Sequence, residues 1–134
     1  GYQTCILAAL GAVVFSIERV KTLSDKAQKI ITHMSHLFAE LDKSRKYKVW
    51  LYVQDGSLGL KEKAPFDKII VTAAAPIIPE VLMQQLKVGG ILVIPVGSQD
   101  TQRMLRITRK SETDYHKEEF EDFRFVPLIG KEGW

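Results

Sequence analysis

Residues 24–41 place Ala27, Ile30, Ile31, Met34, Leu37, Phe38 and Leu41 at the spacing of one helical face, and short apolar runs flank that stretch on both sides. The run before it, residues 12–17, is β-branched and aromatic and closes on Glu18. The run after it, residues 48–53, closes on Gln54-Asp55-Gly56. Strand, amphipathic helix, strand is the unit of a parallel sheet with helices on its faces, and the fixed hand of that connection leaves few topologies open.

The alternation continues along the chain. Residues 2–10 suit a helix that ends at Gly11, where a left-handed residue commonly closes a helix. Residues 66–74 form an apolar strand bounded by Pro65 and Pro76. Residues 79–86 can form a short helix with proline in its first turn, broken by Gly89-Gly90, and residues 91–96 follow as another buried strand. Residues 104–108 and 120–126 then pair as a hairpin around the polar turn 110–114. The expected fold is α/β: a Rossmann-like, doubly wound, mostly parallel sheet with an antiparallel carboxy-terminal hairpin. No linker or repeat divides the chain, so residues 1–134 are expected to be a single, partial domain. Such folds open on a strand, whereas here a helix comes first after a bare glycine. A strand is therefore expected upstream of Gly1.

Composition excludes several classes. With 46% hydrophobic and 26% charged residues the chain has the make-up of a globular domain, and its apolar runs fall well short of a membrane span. Cys5 is the one cysteine, so neither an intrachain disulfide nor a cysteine metal cluster can form, which fits a soluble protein of a reducing cytoplasm. The formal charge of +3 is spread among interleaved acids, so no nucleic-acid partner is expected. His33, His36 and His116 share no ligand spacing with a carboxylate, and no metal is expected.

Ligands of open α/β sheets bind beyond the carboxyl ends of the strands, which singles out four places. Gly1 precedes a helix whose first N–H groups attract anions, though a glycine at a chain terminus needs no such reason. Glu18 ends a strand where a carboxylate can accept from both hydroxyls of a ribose; it could equally cap the following turn or pair with Arg19 or Lys21. Asp55-Gly56 ends the next strand, where the carboxylate can accept from an exocyclic amine and the glycine can turn tightly against a flat base. Asp-Gly is also an ordinary turn dipeptide. Thr72-Ala73-Ala74-Ala75-Pro76 offers small side chains that leave room for a substrate chain, or that merely make a tight connection.

In this order, the chain resembles the S-adenosylmethionine-dependent methyltransferases, and more narrowly the protein-L-isoaspartate O-methyltransferases. Gly1-Tyr2-Gln3-Thr4 with Ile6-Leu7-Ala8 is similar to the continuation of that family's glycine-rich loop, and Ser16-Ile17-Glu18-Arg19 to its ribose-binding strand end. Ala64-Pro65-Phe66-Asp67-Lys68-Ile69-Ile70-Val71-Thr72-Ala73-Ala74 is the most specific stretch, and Gly89-Gly90-Ile91-Leu92-Val93-Ile94-Pro95 and Phe125-Val126-Pro127-Leu128 extend the likeness. The resemblance implies S-adenosylmethionine as cofactor, held by Gly1, Tyr2, Gln3, Glu18, Arg19, Asp55 and Gly56. It implies a substrate peptide bordered by Thr72, Ala73, Ala74, Pro76, Phe125, Val126 and Pro127. The implied reaction is methyl transfer to the α-carboxylate of L-isoaspartyl residues in damaged proteins.

The chain also departs from that pattern. The family's first strand and the acidic glycine-rich segment before Gly1 are missing, as is the hydroxyl residue that orients the isoaspartyl carboxylate. Loss of a central strand should bare the edges of its two neighbours, and this piece alone is expected to be inactive. Ile129 carries no hydroxyl where some relatives do, which argues against a cofactor or substrate contact from the tail. Two rivals stay open at this level: a methyltransferase for a small molecule or nucleic acid, and a domain that kept the fold without catalysis.

Overall fold

The computed structural model describes residues 1–44 and 47–134 in two compact units, Gly1–Gln54 and Asp55–Trp134. The first contains α1 (Tyr2–Ala9), β1 (Val13–Glu18), α2 (Lys21–Leu41) and β2 (Lys48–Val53). β1 and β2 pair in parallel from Val13 opposite Lys48 to Glu18 opposite Val53, and Phe15 stacks on Trp50 with ring centroids 5.2 Å apart. Gly11 has φ 91°, the left-handed value that closes α1 and that a side chain would resist. Helix α2 starts at Lys21, three residues before the expected Ser24, because the Val20 carbonyl already accepts from Leu23 and Ser24. Ile31 on its apolar face is buried, whereas Ile30 is 55% exposed. The difference is local: between α1 and α2 lies an open apolar groove of about 640 Å³ lined by Tyr2, Cys5, Ile6, Met34 and Phe38, among others.

The second unit contains β3 (Phe66–Ile70), α3 (Glu80–Gln84), β4 (Leu86–Gly97), β5 (Gln102–Arg109) and β6 (Tyr115–Phe123), preceded by short 3-10 turns at Gly56–Leu58 and Lys61–Lys63. The sheet order is β3-β4-β5-β6, with β3 parallel to β4 and the remaining pairs antiparallel. Leu82 and Leu86 pack with Leu92, Ile94, Leu105, Ile107 and Ala75 in one buried cluster. Among the described residues, β1 and β3 each carry a strand on one edge only.

Further boundaries in this unit differ from the sequence expectation. β3 stops at Ile70: Val71 N still donates to the Val93 carbonyl at 2.9 Å, after which the chain leaves the ladder until Ala75 N donates to the Pro95 carbonyl at 3.0 Å. Gly89-Gly90 does not break the chain but lies inside β4, where the register jumps from Phe66–Leu86 to Lys68–Ile91. A Cβ on Gly90 would stand 2.8 Å from the Lys87 carbonyl oxygen and 3.0 Å from that of Phe66, so the glycine allows two backbones to meet. The last strand is residues 115–123 rather than 120–126: its Glu118 and Glu119 pair across to Arg106 and Arg103 of β5, Lys117 pairs with Glu119 within the strand, and charge hid the strand pattern.

Those charges define a pH response. Arg106 donates to both Glu118 oxygens, from Nε at 2.7 Å and from Nη2 at 2.6 Å, and lies over the Phe120 ring. The hydrogen bonds from Arg106 hold the Glu118 carboxyl below its ordinary value of 4.5. A lowered folded value means that the pair's contribution is complete above the ordinary value and is lost as pH falls through the folded one. Arg106→Gln is expected to raise the Glu118 midpoint towards 4.5 in a carboxyl-carbon NMR titration. Solvent exposure keeps the accompanying stability change small.

Candidate functional site

In the first unit the candidate residues sit at the start of α1 and the end of β1. The Gly1 carbonyl accepts from Cys5 N at 3.0 Å, and a Cβ on Gly1 would lie 3.3 Å from both Ala27 and Ile31, so only a residue without a side chain fits comfortably against α2. Thr4 Oγ1 donates to Ser16 Oγ at 3.0 Å and ties α1 to β1. Tyr2 is exposed and Gln3 half-buried. Glu18 is half-buried at the carboxyl end of β1, and its Oε1 accepts from Val20 N at 2.9 Å. The capping role that the sequence left open for Glu18 is thus present. Arg19 beside it is exposed.

In the second unit Asp55 is the best-organised acidic group. It caps the first 3-10 turn: Oδ1 accepts from Ser57 N at 2.9 Å and from Ser57 Oγ at 2.7 Å. Oδ2 accepts from Lys131 N at 2.8 Å, and Ser57 Oγ in turn accepts from Glu132 N at 3.0 Å. Gly56 is the first residue of that turn. Farther along, Gly59 has φ 67° and no room for a Cβ against the Gln85 side chain. Gln85 accepts from Leu60 N at 2.7 Å and donates to the Leu58 carbonyl at 3.0 Å, which fixes the exit of the loop.

The two segments assigned to a peptide wall by resemblance lie together. Ala74 N donates to the Val126 carbonyl at 2.8 Å, Leu128 N donates to the Ala74 carbonyl at 2.7 Å, and Ala74 bridges Pro127 in parallel fashion. Phe125 N donates at 2.7 Å to Oε1 of the buried Gln102, which anchors this stretch to β5. Thr72 is exposed, Ala73 and Pro76 are half-buried, and Val126 and Pro127 are exposed. Trp134 adds an indole N–H to the Ala74 carbonyl at 3.1 Å.

The tail is what sequence reasoning missed. Its contacts to Asp55 and Ser57 come from the backbone N–H groups of Lys131 and Glu132, so they do not depend on a hydroxyl at position 129. The available signal was a glycine pair: a Cβ on Gly130 would run into Asp55 Oδ1, and one on Gly133 into the Leu128 carbonyl. Among the described residues, no group of three or more His, Cys, Asp or Glu side chains could hold a metal, and no helix is long and apolar enough to cross a membrane.

Comparison with known proteins fits this arrangement. A protein from Cytophaga hutchinsonii named protein-L-isoaspartate O-methyltransferase is 48% identical over the whole chain, which covers 56% of that protein. The protein of the same name from Chlorobium phaeobacteroides is 46% identical with the same coverage. The chain thus spans a little over half the length of these relatives. A crystal structure of a Plasmodium falciparum protein, described as a putative protein-L-isoaspartate O-methyltransferase in complex with S-adenosyl-L-homocysteine, superposes with a TM-score of 0.61 at 27% identity, covering 87% of this chain and 52% of that one. A second structure with that enzyme name shares the fold with a TM-score of 0.64 at 23% identity, covering 90% of this chain and 35% of its own. A sequence model of the protein-L-isoaspartate(D-aspartate) O-methyltransferases matches residues 1–133, and the chain belongs to that family.

Proposed function

We propose that the protein carrying this chain is a cytoplasmic repair methyltransferase that methylates the α-carboxylate of L-isoaspartyl residues in damaged proteins with S-adenosylmethionine. The observation that carries the reading is the family match over residues 1–133, which spans Glu18, Asp55 and both peptide-wall segments. In this reading Gly1, Tyr2 and Gln3 border the cofactor, Glu18 accepts from its ribose hydroxyls with Arg19 beside it, and Asp55-Gly56 takes the adenine edge. The donor set fits: Glu18 and Asp55 are half-buried carboxylates beyond successive strands, and a carboxylate is an acceptor suited to hydroxyl and amine donors. Thr72, Ala73, Ala74, Pro76, Phe125, Val126 and Pro127 line the peptide.

When bound, S-adenosylmethionine supplies an electrophilic methyl group on a sulfonium, and the reading calls for no metal. The accepting carboxylate is already an anion at neutral pH, so the protein's task is alignment and exclusion of water rather than proton transfer. The adjoining backbone amide nitrogen of the substrate then attacks the ester carbonyl and expels methanol, giving a succinimide. We read both units as parts of one methyltransferase domain. Residues 1–134 by themselves are inactive in this reading, in keeping with their coverage of 56% of the relatives.

The test uses the full-length protein with methyl-labelled S-adenosylmethionine and two peptides that differ only in L-isoaspartate or L-aspartate at one position. Label is expected in the isoaspartyl peptide and at background level in its twin. Equal labelling of the two would refute the repair reading.

A further inference from the structure

Asp55 accepts hydrogen bonds from Ser57 and from the carboxy-terminal tail. Ser57 N and Ser57 Oγ approach Oδ1 at 2.9 and 2.7 Å, and Lys131 N approaches Oδ2 at 2.8 Å. Ser57 is fully buried, and its hydroxyl is oriented on the far side by Glu132 N at 3.0 Å. Two of these four bonds come from backbone more than seventy residues away in sequence. Gly130 makes the approach possible, because a Cβ there would collide with Asp55 Oδ1 and lie 2.8 Å from Asp55 Cγ. The far end of the tail is anchored separately, by Trp134 N on the Leu128 carbonyl at 2.8 Å and Trp134 Nε1 on the Ala74 carbonyl at 3.1 Å. An ionised carboxylate can only accept, and these donors fix its orientation. It therefore distinguishes a ligand that brings an N–H from one that brings a carbonyl oxygen to the same place, since a second acceptor facing it is repelled.

We propose that residues 130–134 form a positioning strap which, through the N–H groups of Lys131 and Glu132 and the buried Ser57 hydroxyl, fixes the Asp55 carboxylate and so sets a preference for an amino-purine over an oxo-purine. The assignment rests on the cofactor reading above and adds to it a specificity determinant that touches the ligand only through Asp55.

The discriminating variant is Gly130→Ala in the full-length protein, since it adds one methyl against Asp55, removes no polar group and leaves a backbone conformation open to alanine. Ser57→Ala, which removes the bridging hydroxyl, is the second variant should the first disturb folding. Binding of S-adenosylhomocysteine and of its 6-oxo counterpart, S-inosylhomocysteine, is measured by calorimetry. The wild type is expected to favour the amino ligand; in Gly130→Ala its affinity for that ligand falls about tenfold while its affinity for the oxo ligand changes less than about twofold. Equal weakening of both ligands means general loosening of the site and overturns the strap. An unchanged preference in both variants overturns it as well and leaves the cofactor reading standing. A wild type that binds neither ligand removes the cofactor reading and the strap with it.

Discussion

Leu92→Ala is expected to destabilise the second unit by about 2–5 kcal/mol, the range for emptying a fully buried leucine site. Leu92 has no exposed surface and sits in β4 opposite Ile69 of β3 and Ile107 of β5, in one cluster with Leu82 and Leu86. A strand flanked by two others cannot shift inward to fill the space without breaking two ladders, so the cavity term is expected in full. Urea denaturation followed at Trp134, in a Trp50→Phe background, reads this unit alone, since Trp50 lies in β2 of the first unit. A loss below about 1 kcal/mol would mean that the site collapses easily and that the cluster is not a close-packed core. The comparison position is Ile70 on β3, which is 45% exposed, where truncation to alanine removes far less buried surface.

How well each element could be foreseen follows the physics that makes it. β1, β2 and α2 were legible because their apolar residues repeat at strand or helix period within a few residues, and β2 matches its expected bounds throughout. β6 was only half legible. Its residues Tyr115–Phe123 carry charge on both faces, held in place by Arg103, Arg106 and Lys117, so it shows no alternation. Gly89-Gly90 looks like a breaker in sequence, but inside the strand Gly89 takes the left-handed φ of 82° and Gly90 lies against the crossing backbone of β3, and neither reason is visible before the structure. Among the candidate site residues, Glu18 and Asp55 were singled out because each stands at the carboxyl end of an apolar strand run, where open α/β sheets bind ligands. What holds Asp55 could not. Lys131 and Glu132 act through their amides, and a backbone donor has no signature in the sequence. Glycine at 130 and 133 records only that something passes close by.

Asp55→Ala is expected to lower the affinity of the full-length protein for S-adenosylhomocysteine by about ten- to a hundredfold, the cost of losing a hydrogen bond to a charged acceptor. Replacement also strands the donors that Asp55 serves. Lys131 is exposed and its N–H can turn to water, but Ser57 is fully buried, so its N–H loses its acceptor at a cost of about 1–3 kcal/mol in stability. Asp55→Asn separates charge and geometry from shape. An amide has one oxygen and one NH2 group; if its oxygen faces Ser57, the NH2 meets the Lys131 N–H, and if it faces Lys131, the NH2 meets the Ser57 N–H. Either orientation sets donor against donor, so the near-isosteric asparagine is expected to lose almost as much affinity as alanine. It also presents a donor, rather than an acceptor, on one side to an incoming amine. Calorimetric titration of the three proteins with S-adenosylhomocysteine decides the matter. If Asn binds as the wild type does, the ligand does not use the carboxylate as an acceptor, and the adenine-side assignment of Asp55 falls.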